Sequence, residues 1–309
     1  MLHHVTAIAS DLDANVRFYS HTLGLRLVKV TVNFDDPGSY HLYYGNDLGA
    51  PGTLVTFFVW PSAEAGKAGP PQVTSIGLAV PGGALDYWRK RLDDAGVAHE
   101  SVGGERLAVR DPDGLTVELI ERAGCEVWPY VSAGPVVAEH AIRALDAPTL
   151  RVRDAAATVA FCERMLGMSV QGRREDGARY HLVAGDAGDA PARWLDVVSA
   201  ADAPAGAFGP GTVHHVAFRA ADDAAQQATR ERLREARVAV SEVRERVYFR
   251  SIYFREVGGV ICEVATDGPG MTADESPAAL GSTLRLPPWL ESERSEIERI
   301  LPPLPRPTA

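Results

Sequence analysis

The stretch Gly211-Thr-Val-His-His-Val-Ala-Phe218 decides the fold, because it places two adjacent histidines in a short apolar run typical of a buried strand. A similar run, Leu2-His-His-Val-Thr-Ala-Ile8, stands near the start of the chain, and Gly258-Gly-Val-Ile-Cys-Glu-Val264 carries a glutamate. Strands that bring His, His and Glu together would form the two-histidine, one-carboxylate site typical of non-haem Fe(II) oxygenases, which leaves metal positions open for other ligands. We therefore predict a site for one divalent metal.

An internal repeat surrounds these strands. The segments Asp11–Leu25 and Asp154–Met168 each begin with a helix-capping aspartate and continue with one apolar helical face. Each reaches a Leu-Gly pair, and the two glycines are separated by the same offset as the other matching residues (167 − 24 = 143). Related strand–helix–hairpin patterns follow each copy. The chain thus divides into four units at about 1–60, 72–121, 144–199 and 212–266.

Each unit is too small to bury a curved sheet alone, so we expect the units to pair. The predicted fold is α+β, with four βαβββ units forming two open barrels, one of which contains the metal. The predicted organisation is a first pair of units at 1–121, a linker at 122–143, a second pair at 144–266 and a proline-rich tail at 267–309. A helix is predicted in the tail from about Trp289 to Leu301. We interpret the tail as a lid or an inter-subunit clasp, with an exposed tail as the alternative.

Composition restricts the class of protein. The 309 residues are 46% hydrophobic and 23% charged, which is typical of globular proteins. The net charge of −10 argues against nucleic acid as a partner, because no basic face is available to neutralise phosphates. No apolar run approaches the roughly 20 residues of a membrane span, and the start of the chain has no positively charged leader segment. The three cysteines are widely spaced, as expected of free thiols, so we expect a cytoplasmic protein.

Several stretches together resemble the vicinal oxygen chelate superfamily, and within it the ring-cleaving dioxygenases that act on hydroquinones. The resemblance covers nearly the whole chain. Its specificity comes from the combination, since each stretch alone is a weak signal. The stretches are Leu2–Ile8, Leu25-Arg-Leu-Val-Lys29, Tyr40-His-Leu-Tyr-Tyr-Gly45, Pro51-Gly-Thr53, Gly211–Phe218 and Arg246-Val-Tyr-Phe-Arg-Ser-Ile-Tyr-Phe254.

The repeats separate two kinds of unit pair. Units one and four carry the histidine pairs. Unit two instead has Ser75 in place of the second histidine of unit four, and unit three has Ala147 where unit one has His4 (147 − 4 = 143). Glu118 stands at the position of Glu263, and we interpret it as a relic satisfied by a local hydrogen bond or by solvent. The resemblance likewise implies one metal barrel and one structural barrel.

Only one histidine of each pair can enter the barrel, because successive strand residues point to opposite faces. The resemblance selects the second member of each pair, so the implied metal ligands are His4, His215 and Glu263. The implied metal is Fe(II), with Mn(II) as the alternative. A buried Glu263 also favours a metal partner, since an unpaired buried carboxylate is costly.

The resemblance further implies that substrate and proton handling involve His3, His214, Arg246 and Tyr253. Thr6 is added because it stands two residues after His4 and shares its strand face. Arg246 lies in a run of mixed charges, so a plain surface charge is the alternative. Tyr253 precedes Glu263 by ten residues. A hairpin loop with an even number of residues would place the two on opposite faces, and an odd loop with a bulge would place them side by side.

The other histidines are assigned structural roles. His41 and His181 share one repeat position, which suggests a packing role in both units. His21 and His99 are interpreted as surface residues near helix ends.

The predicted reaction is the insertion of O2 into a small aromatic diol. A hydroquinone coordinated through one hydroxyl is the preferred substrate, and a catechol chelated through both is the alternative. A glyoxalase-type isomerase is a further alternative. It commonly uses four protein ligands, and residues 53–59 supply no fourth one. Beyond the substrate, no nucleic-acid or membrane partner is expected, and a homo-oligomer is compatible with the sequence without being required by it.

Overall fold

The computed structural model describes residues 1–173, 179–185 and 190–304. Within these residues the elements follow the repeat pattern of the sequence. The strands are β1 (Leu2–Ala9), β2 (Arg26–Asn33), β3 (Asp36–Gly45), β4 (Leu54–Val59), β5 (Gln72–Pro81), β6 (His99–Val102), β7 (Arg106–Arg110), β8 (Thr116–Arg122), β9 (Ala144–Leu145), β10 (Thr149–Val152), β11 (Met168–Arg173), β12 (Arg179–Ala184), β13 (Trp194–Ser199), β14 (Val213–Ala220), β15 (Arg244–Glu245), β16 (Arg250–Arg255) and β17 (Ile261–Thr266). The α-helices are α1 (Leu12–Val16), α2 (Leu85–Asp94), α3 (Ala155–Leu166), α4 (Asp223–Glu235) and α5 (Arg294–Ile300).

Two curled sheets confirm the predicted α+β fold and its pairing of units. One sheet has the strand order β15-β16-β17-β14-β1-β4-β3-β2 and joins unit four to unit one. The other has the order β11-β12-β13-β10-β5-β8-β7-β6 and joins unit three to unit two. In each sheet the first strands of the two units pair antiparallel at the centre, as β1 does with β14. Each sheet therefore combines one unit from each half of the chain.

Aspartate caps begin the repeated helices, as the sequence indicates. Each cap accepts a hydrogen bond from the backbone N–H three residues later: Asp11 at 2.7 Å, Asp154 at 3.1 Å and Asp222 at 2.8 Å. Gly24 and Gly167 follow the first and third helices in the left-handed conformation, with φ of 74° and 63°. The first helix differs from a regular α-helix, because α1 continues into a π-helical turn at Arg17–Thr22.

Alternation along the strands separates the apolar core from the barrel interior. On β3, Tyr40, Leu42 and Tyr44 belong to the main hydrophobic core, and the ring of Tyr44 lies 5.4 Å from that of Tyr19 in the helical layer. The intervening residues His41 and Tyr43 point to the opposite, concave face. Polar side chains thus collect inside the barrel formed by units one and four.

The tail crosses the open side of this barrel. The Gly270 N–H donates to the Tyr248 carbonyl next to β16, and the Arg285 N–H donates to the Val30 carbonyl in β2, near the opposite edge of the sheet. Between these points, the fully buried Lys29 ammonium binds Asp274 at 2.6 Å and also binds Glu275. The alternative of a wholly exposed tail therefore does not describe residues 270–285, which fill the gap between two edges of this sheet.

The helix predicted from about Trp289 to Leu301 is shorter in the structure. A 3₁₀ turn at Glu291–Glu293 precedes α5, which ends at Ile300. Ile297 and Leu301 are buried against the core, whereas Trp289 is half exposed. No helix among the described residues is long and apolar enough to cross a membrane.

We predict that Lys29→Met lowers the free energy of unfolding by about 3–5 kcal/mol, because it leaves the buried Glu275 carboxylate without its cation. Urea denaturation measures this change. Lys90→Met is the matched control, since the Lys90–Asp94 pair is exposed on α2 and its loss should leave the free energy of unfolding nearly unchanged. Equal effects of the two substitutions would show that the ion pair does not anchor the tail.

Candidate metal centre

Three adjacent strands bring His4, His215 and Glu263 together inside the first barrel. His4 lies on β1, His215 on β14 and Glu263 on β17. The Glu263 Oε2 atom lies 3.3 Å from His4 Nε2 and 2.9 Å from His215 Nε2, and the two Nε2 atoms are 3.3 Å apart. All three side chains are buried. The resulting cluster has the two-histidine, one-carboxylate composition predicted from the sequence.

Strand register explains why these residues meet. Thr6 on β1 lies opposite His215 on β14, and His4 lies opposite Ala217. Ala217 in turn lies beside Glu263 on the parallel strand β17. A large side chain at Ala217 would have no room, because the residue is completely buried between the two neighbouring strands.

The electrostatics of the cluster fit a bound cation. Glu263 Oε1 accepts a hydrogen bond from the Ser251 hydroxyl, whereas the buried Oε2 has no hydrogen-bond donor despite the nearby imidazoles. Burial alone would raise the pKa of Glu263, but His4 and His215 outweigh burial and hold that pKa well below its usual range. Two imidazole nitrogens and an ionised oxygen thus converge without a good hydrogen bond between them. A divalent metal could be coordinated by both nitrogens and the carboxylate oxygen at once.

His3 determines which nitrogen of His4 is available to a metal. His3 Nε2 lies 3.2 Å from the Thr266 carbonyl oxygen, which can only accept, so Nε2 carries the proton. Burial lowers the pKa of His3 to about 3, so the ring is neutral and its Nδ1 is an acceptor. His4 Nδ1, 2.9 Å away, must then donate to it. In the neutral form of His4 that binds a metal, the lone pair is consequently on Nε2, the atom that faces Glu263.

The second histidine pair repeats this geometry. His214 Nδ1 and His215 Nδ1 are 2.8 Å apart, and burial lowers the pKa of His214 to about 3. The His214 ring packs edge-on against Phe58 and Trp60 and does not itself line the pocket. The sequence places His3 and His214 among the groups that handle substrate, but in the structure both lie behind the ligand histidines. Their position suits orientation of a ligand ring through its distal nitrogen.

The hairpin between β16 and β17 settles the orientation of Tyr253. Arg255 pairs with Ile261, which leaves a five-residue loop, and Tyr253 lies directly opposite Glu263. The Tyr253 ring is 5.9 Å from that of His215, and both line the same small pocket. The loop therefore has an odd number of residues, the case for which Tyr253 and Glu263 are expected side by side on one face.

Arg246 also lines this pocket and is not a plain surface charge. Its Nε donates to the Tyr253 hydroxyl at 3.1 Å, and its second terminal nitrogen donates to Asp35 at 2.8 Å. Burial would lower the pKa of Arg246, but Tyr253 and Asp35 raise it above its ordinary value. Burial raises the pKa of Tyr253 above its ordinary value, so its hydroxyl keeps its proton.

His41 is a pocket residue that the sequence misassigns to packing. Its Nε2 lies 2.9 Å from the Thr56 hydroxyl, and its Nδ1 lies 3.0 Å from the Tyr43 hydroxyl. Burial and the nearby ligand histidines lower its pKa well below the ordinary value. Thr6 does not line the pocket, because its hydroxyl bonds instead to Thr56 at 2.8 Å, behind His41. The two-residue spacing of His41 and Tyr43 on one strand face was the signal that could have revealed this wall.

The second barrel has an arginine network where the first has the His4, His215 and Glu263 cluster. Glu118, the counterpart of Glu263, accepts a hydrogen bond from Arg106 at 2.8 Å. The same Arg106 nitrogen lies 3.0 Å from Asp196, which also binds Arg179 and His181. A guanidinium thus neutralises the buried carboxylates here. The expected local hydrogen bond of Glu118 is present.

The fold and this site allow comparison with known proteins. A family model described as the Glyoxalase/Bleomycin resistance protein/Dioxygenase superfamily matches residues 1–119 and 144–264. The chain belongs to this superfamily. Its two matched regions correspond to the two halves whose units interleave in the sheets.

Members of the superfamily with similar sequences span nearly the whole chain. MhqO of Bacillus subtilis (strain 168), provisionally named a ring-cleaving dioxygenase, is 40% identical over 307 residues, covering 98% of this chain and 96% of that protein. The chlorohydroquinone/hydroquinone 1,2-dioxygenase of Sphingobium indicum is 35% identical over 315 residues, covering 97% and 95%.

Solved structures within the superfamily agree with the fold. A Bacillus subtilis protein, provisionally described as a dioxygenase, has a TM-score of 0.91 at 39% identity, covering 98% of this chain and 97% of that one. Glyoxalase I from Zea mays has a TM-score of 0.64 at 17% identity, covering 86% and 92%, and shares the fold alone.

We predict that His3→Leu weakens the affinity for a divalent cation about 10- to 100-fold, because His4 loses the acceptor that holds its proton on Nδ1. Competition with a chelating dye measures the Kd for Co²⁺. His3→Gln should recover part of the affinity, since an amide oxygen can accept the same proton. His99→Gln is the control, because His99 lies on β6 in the other sheet, far from the cluster in the strand order. Unchanged affinity in His3→Leu would contradict the orienting role.

Proposed function

We propose that this protein is an Fe(II)-dependent dioxygenase that cleaves the aromatic ring of a hydroquinone. The observation that carries the proposal is the set of three convergent donors, His4, His215 and Glu263, in a buried pocket with aromatic walls. Three protein ligands leave coordination positions for both a substrate oxygen and O2. Full-length similarity to ring-cleaving dioxygenases supports the same reaction class.

The chemistry of the bound metal would be that of a Lewis acid and one-electron donor, which favours the phenolate form of the substrate and allows reaction with O2. The protein contributes the geometry around it. His3 and His214 hold the two ligand imidazoles through their Nδ1 atoms, and Ser251 holds Glu263 through Oε1. The ligand atoms therefore do not need to reorganise when the substrate binds.

Opposite walls of the pocket would bind the substrate. Phe34, Phe58 and Phe249 supply apolar ring surfaces. The Tyr253 hydroxyl, held by Arg246, faces the cluster from one side and provides a hydrogen-bond donor for an oxygen that gains negative charge. Its raised pKa keeps this hydroxyl protonated at neutral pH. The Tyr43 hydroxyl on His41 provides a second polar contact on the other side.

Two separated polar walls favour a hydroquinone over a catechol. The hydroxyls of a hydroquinone stand at opposite ends of the ring, so one can reach the metal while the other reaches a polar wall. A catechol would place both oxygens on the metal. The named substrate of the Sphingobium indicum relative supports the hydroquinone. Mn(II) remains the alternative metal, because its ligand preference is similar.

A glyoxalase-type isomerase is the rival function, since glyoxalase I shares the fold. In the described part of the chain, the cluster contains three metal-binding side chains and no fourth. Thr56, on the strand where a fourth ligand would be expected, bonds to His41 and Thr6 instead. This donor set favours the oxygenase.

Oxygen consumption tests the proposed function. We predict that Fe(II)-loaded protein consumes one O2 per hydroquinone ring opened, that anaerobic protein gives no product, and that catechols react more slowly. An oxygen electrode combined with product mass spectrometry measures the stoichiometry, and Glu263→Ala is the inactive control. Isomerisation of a hemithioacetal without oxygen uptake would contradict the proposal and support the isomerase.

A further inference from the structure

The pocket beside the metal cluster is too small for an aromatic substrate as it stands. Its volume is about 30 Å³. A cavity that binds benzene measures roughly 150 Å³, and a hydroquinone is larger than benzene. Entry of the substrate on which the proposed function depends therefore requires one wall of the pocket to move.

Three of the four walls are poorly suited to movement. The ligand-bearing strands β1, β14 and β17 are each hydrogen-bonded to neighbours on both sides. The β3–β4 wall, with His41 and Phe58, lies between β1 and β2. The third wall, with Phe249 and Tyr253, is held by the burial of Phe249 and by β16, which pairs with β15 and β17. The fourth wall is the turn at 33–36 between β2 and β3, which supplies Asn33, Phe34 and Asp35 to the pocket.

This turn is closed over the pocket by ion pairs from the opposite edge of the sheet. The Asp35 carboxylate, whose side chain is 55% exposed, lies 2.8 Å from Arg246 and 3.2 Å from Arg244. Such pairs are weak in water and break without disturbing a sheet. Within the turn, the Phe34 ring also packs edge-on against the half-exposed Trp289 of the tail, with 5.6 Å between ring centroids. The adjoining part of β3 is held separately, because the Tyr40 hydroxyl donates to the Pro302 carbonyl.

The same ion pair reaches the reacting side of the pocket. Arg246 presents one nitrogen to Asp35 and its Nε to the Tyr253 hydroxyl. A guanidinium is planar and rigid, so the position of one nitrogen fixes the direction of the others. When the turn moves away, Arg246 loses its carboxylate anchor and is no longer held on Tyr253.

We propose that the turn at 33–36 is the substrate gate and that Asp35 is its latch, a positioning residue that seats Arg246 on Tyr253 when the gate closes. This inference rests on the proposed function for the identity of the substrate. Movement of the gate itself can be measured without turnover, because a buried metal must leave by the same opening.

The release of Co²⁺ to excess EDTA, followed by visible absorption, tests the latch. We expect Asp35→Asn to release Co²⁺ about three- to ten-fold faster than the unsubstituted protein, since two exposed ion pairs are lost. Added NaCl should accelerate release from the unsubstituted protein and have little effect on Asp35→Asn, because salt screens exposed pairs. Asp36→Asn, which removes the neighbouring charge of the same turn, should behave like the unsubstituted protein.

Turnover supplies the second readout. Asp35→Asn should lower kcat for hydroquinone about ten-fold while metal content and melting temperature stay unchanged, and Asp35→Glu should recover part of the loss. Faster metal release with no turnover in any variant would overturn the proposed function and leave the gate supported. Normal turnover with equal release rates in Asp35→Asn and Asp36→Asn would overturn the gate and leave the proposed function intact.

Discussion

The convergence of two imidazole nitrogens and one carboxylate oxygen in a buried space is the constraint on which this structure depends. Without a cation, Glu263 Oε2 has no hydrogen-bond donor although both Nε2 atoms are within 3.3 Å. Such an arrangement is unfavourable unless something holds the donors in place. The flanking histidines and Ser251 do so from behind, through atoms that face away from the cluster. This arrangement lowers stability locally and keeps the three groups in the positions that a metal site would require.

The second barrel shows the same fold without that constraint. Ala147 and Ser75 stand where the first barrel has its ligand histidines, and Arg106 places a permanent cation on Glu118. Its open side keeps a cavity of about 440 Å³, which is lined partly by arginines. In the first barrel the corresponding gap is filled by residues 270–285. The second barrel is therefore neutralised by arginines and open, while the first is closed around the cluster of His4, His215 and Glu263.

Much of this organisation could be predicted from the sequence, because the repeats impose it. The constant offset between helices identified the units, and the loss of histidines at Ser75 and Ala147 separated the two barrels. The face of Tyr253 could not be predicted, since it depends on whether the β16–β17 loop has an odd or even length. His41 was misassigned because its repeat partner His181 suggested a common role. The two histidines have different partners: His181 is bound to the Asp196 carboxylate, whereas His41 is hydrogen-bonded to the neutral hydroxyl of Thr56.

Other features had no local signal in the sequence. Residues 270–285 of the tail lack a periodic pattern, and their docking depends on long-range pairs such as Lys29 with Asp274. Asp35 is one of two adjacent acids in a turn, and only the folded structure shows which of them reaches Arg246. Interactions between residues more than 200 positions apart cannot be inferred from periodicity or turn chemistry.

Metal stoichiometry in two matched variants tests the central claim most directly. Glu263→Ala and Glu118→Ala remove equivalent carboxylates from the two barrels, so general damage to the fold should affect both alike. After loading with Fe(II) or Co²⁺ and desalting, elemental analysis should find one metal per chain in the unsubstituted protein and in Glu118→Ala. The account predicts that Glu263→Ala retains almost none. Full metal in Glu263→Ala, or its loss in Glu118→Ala, would contradict it.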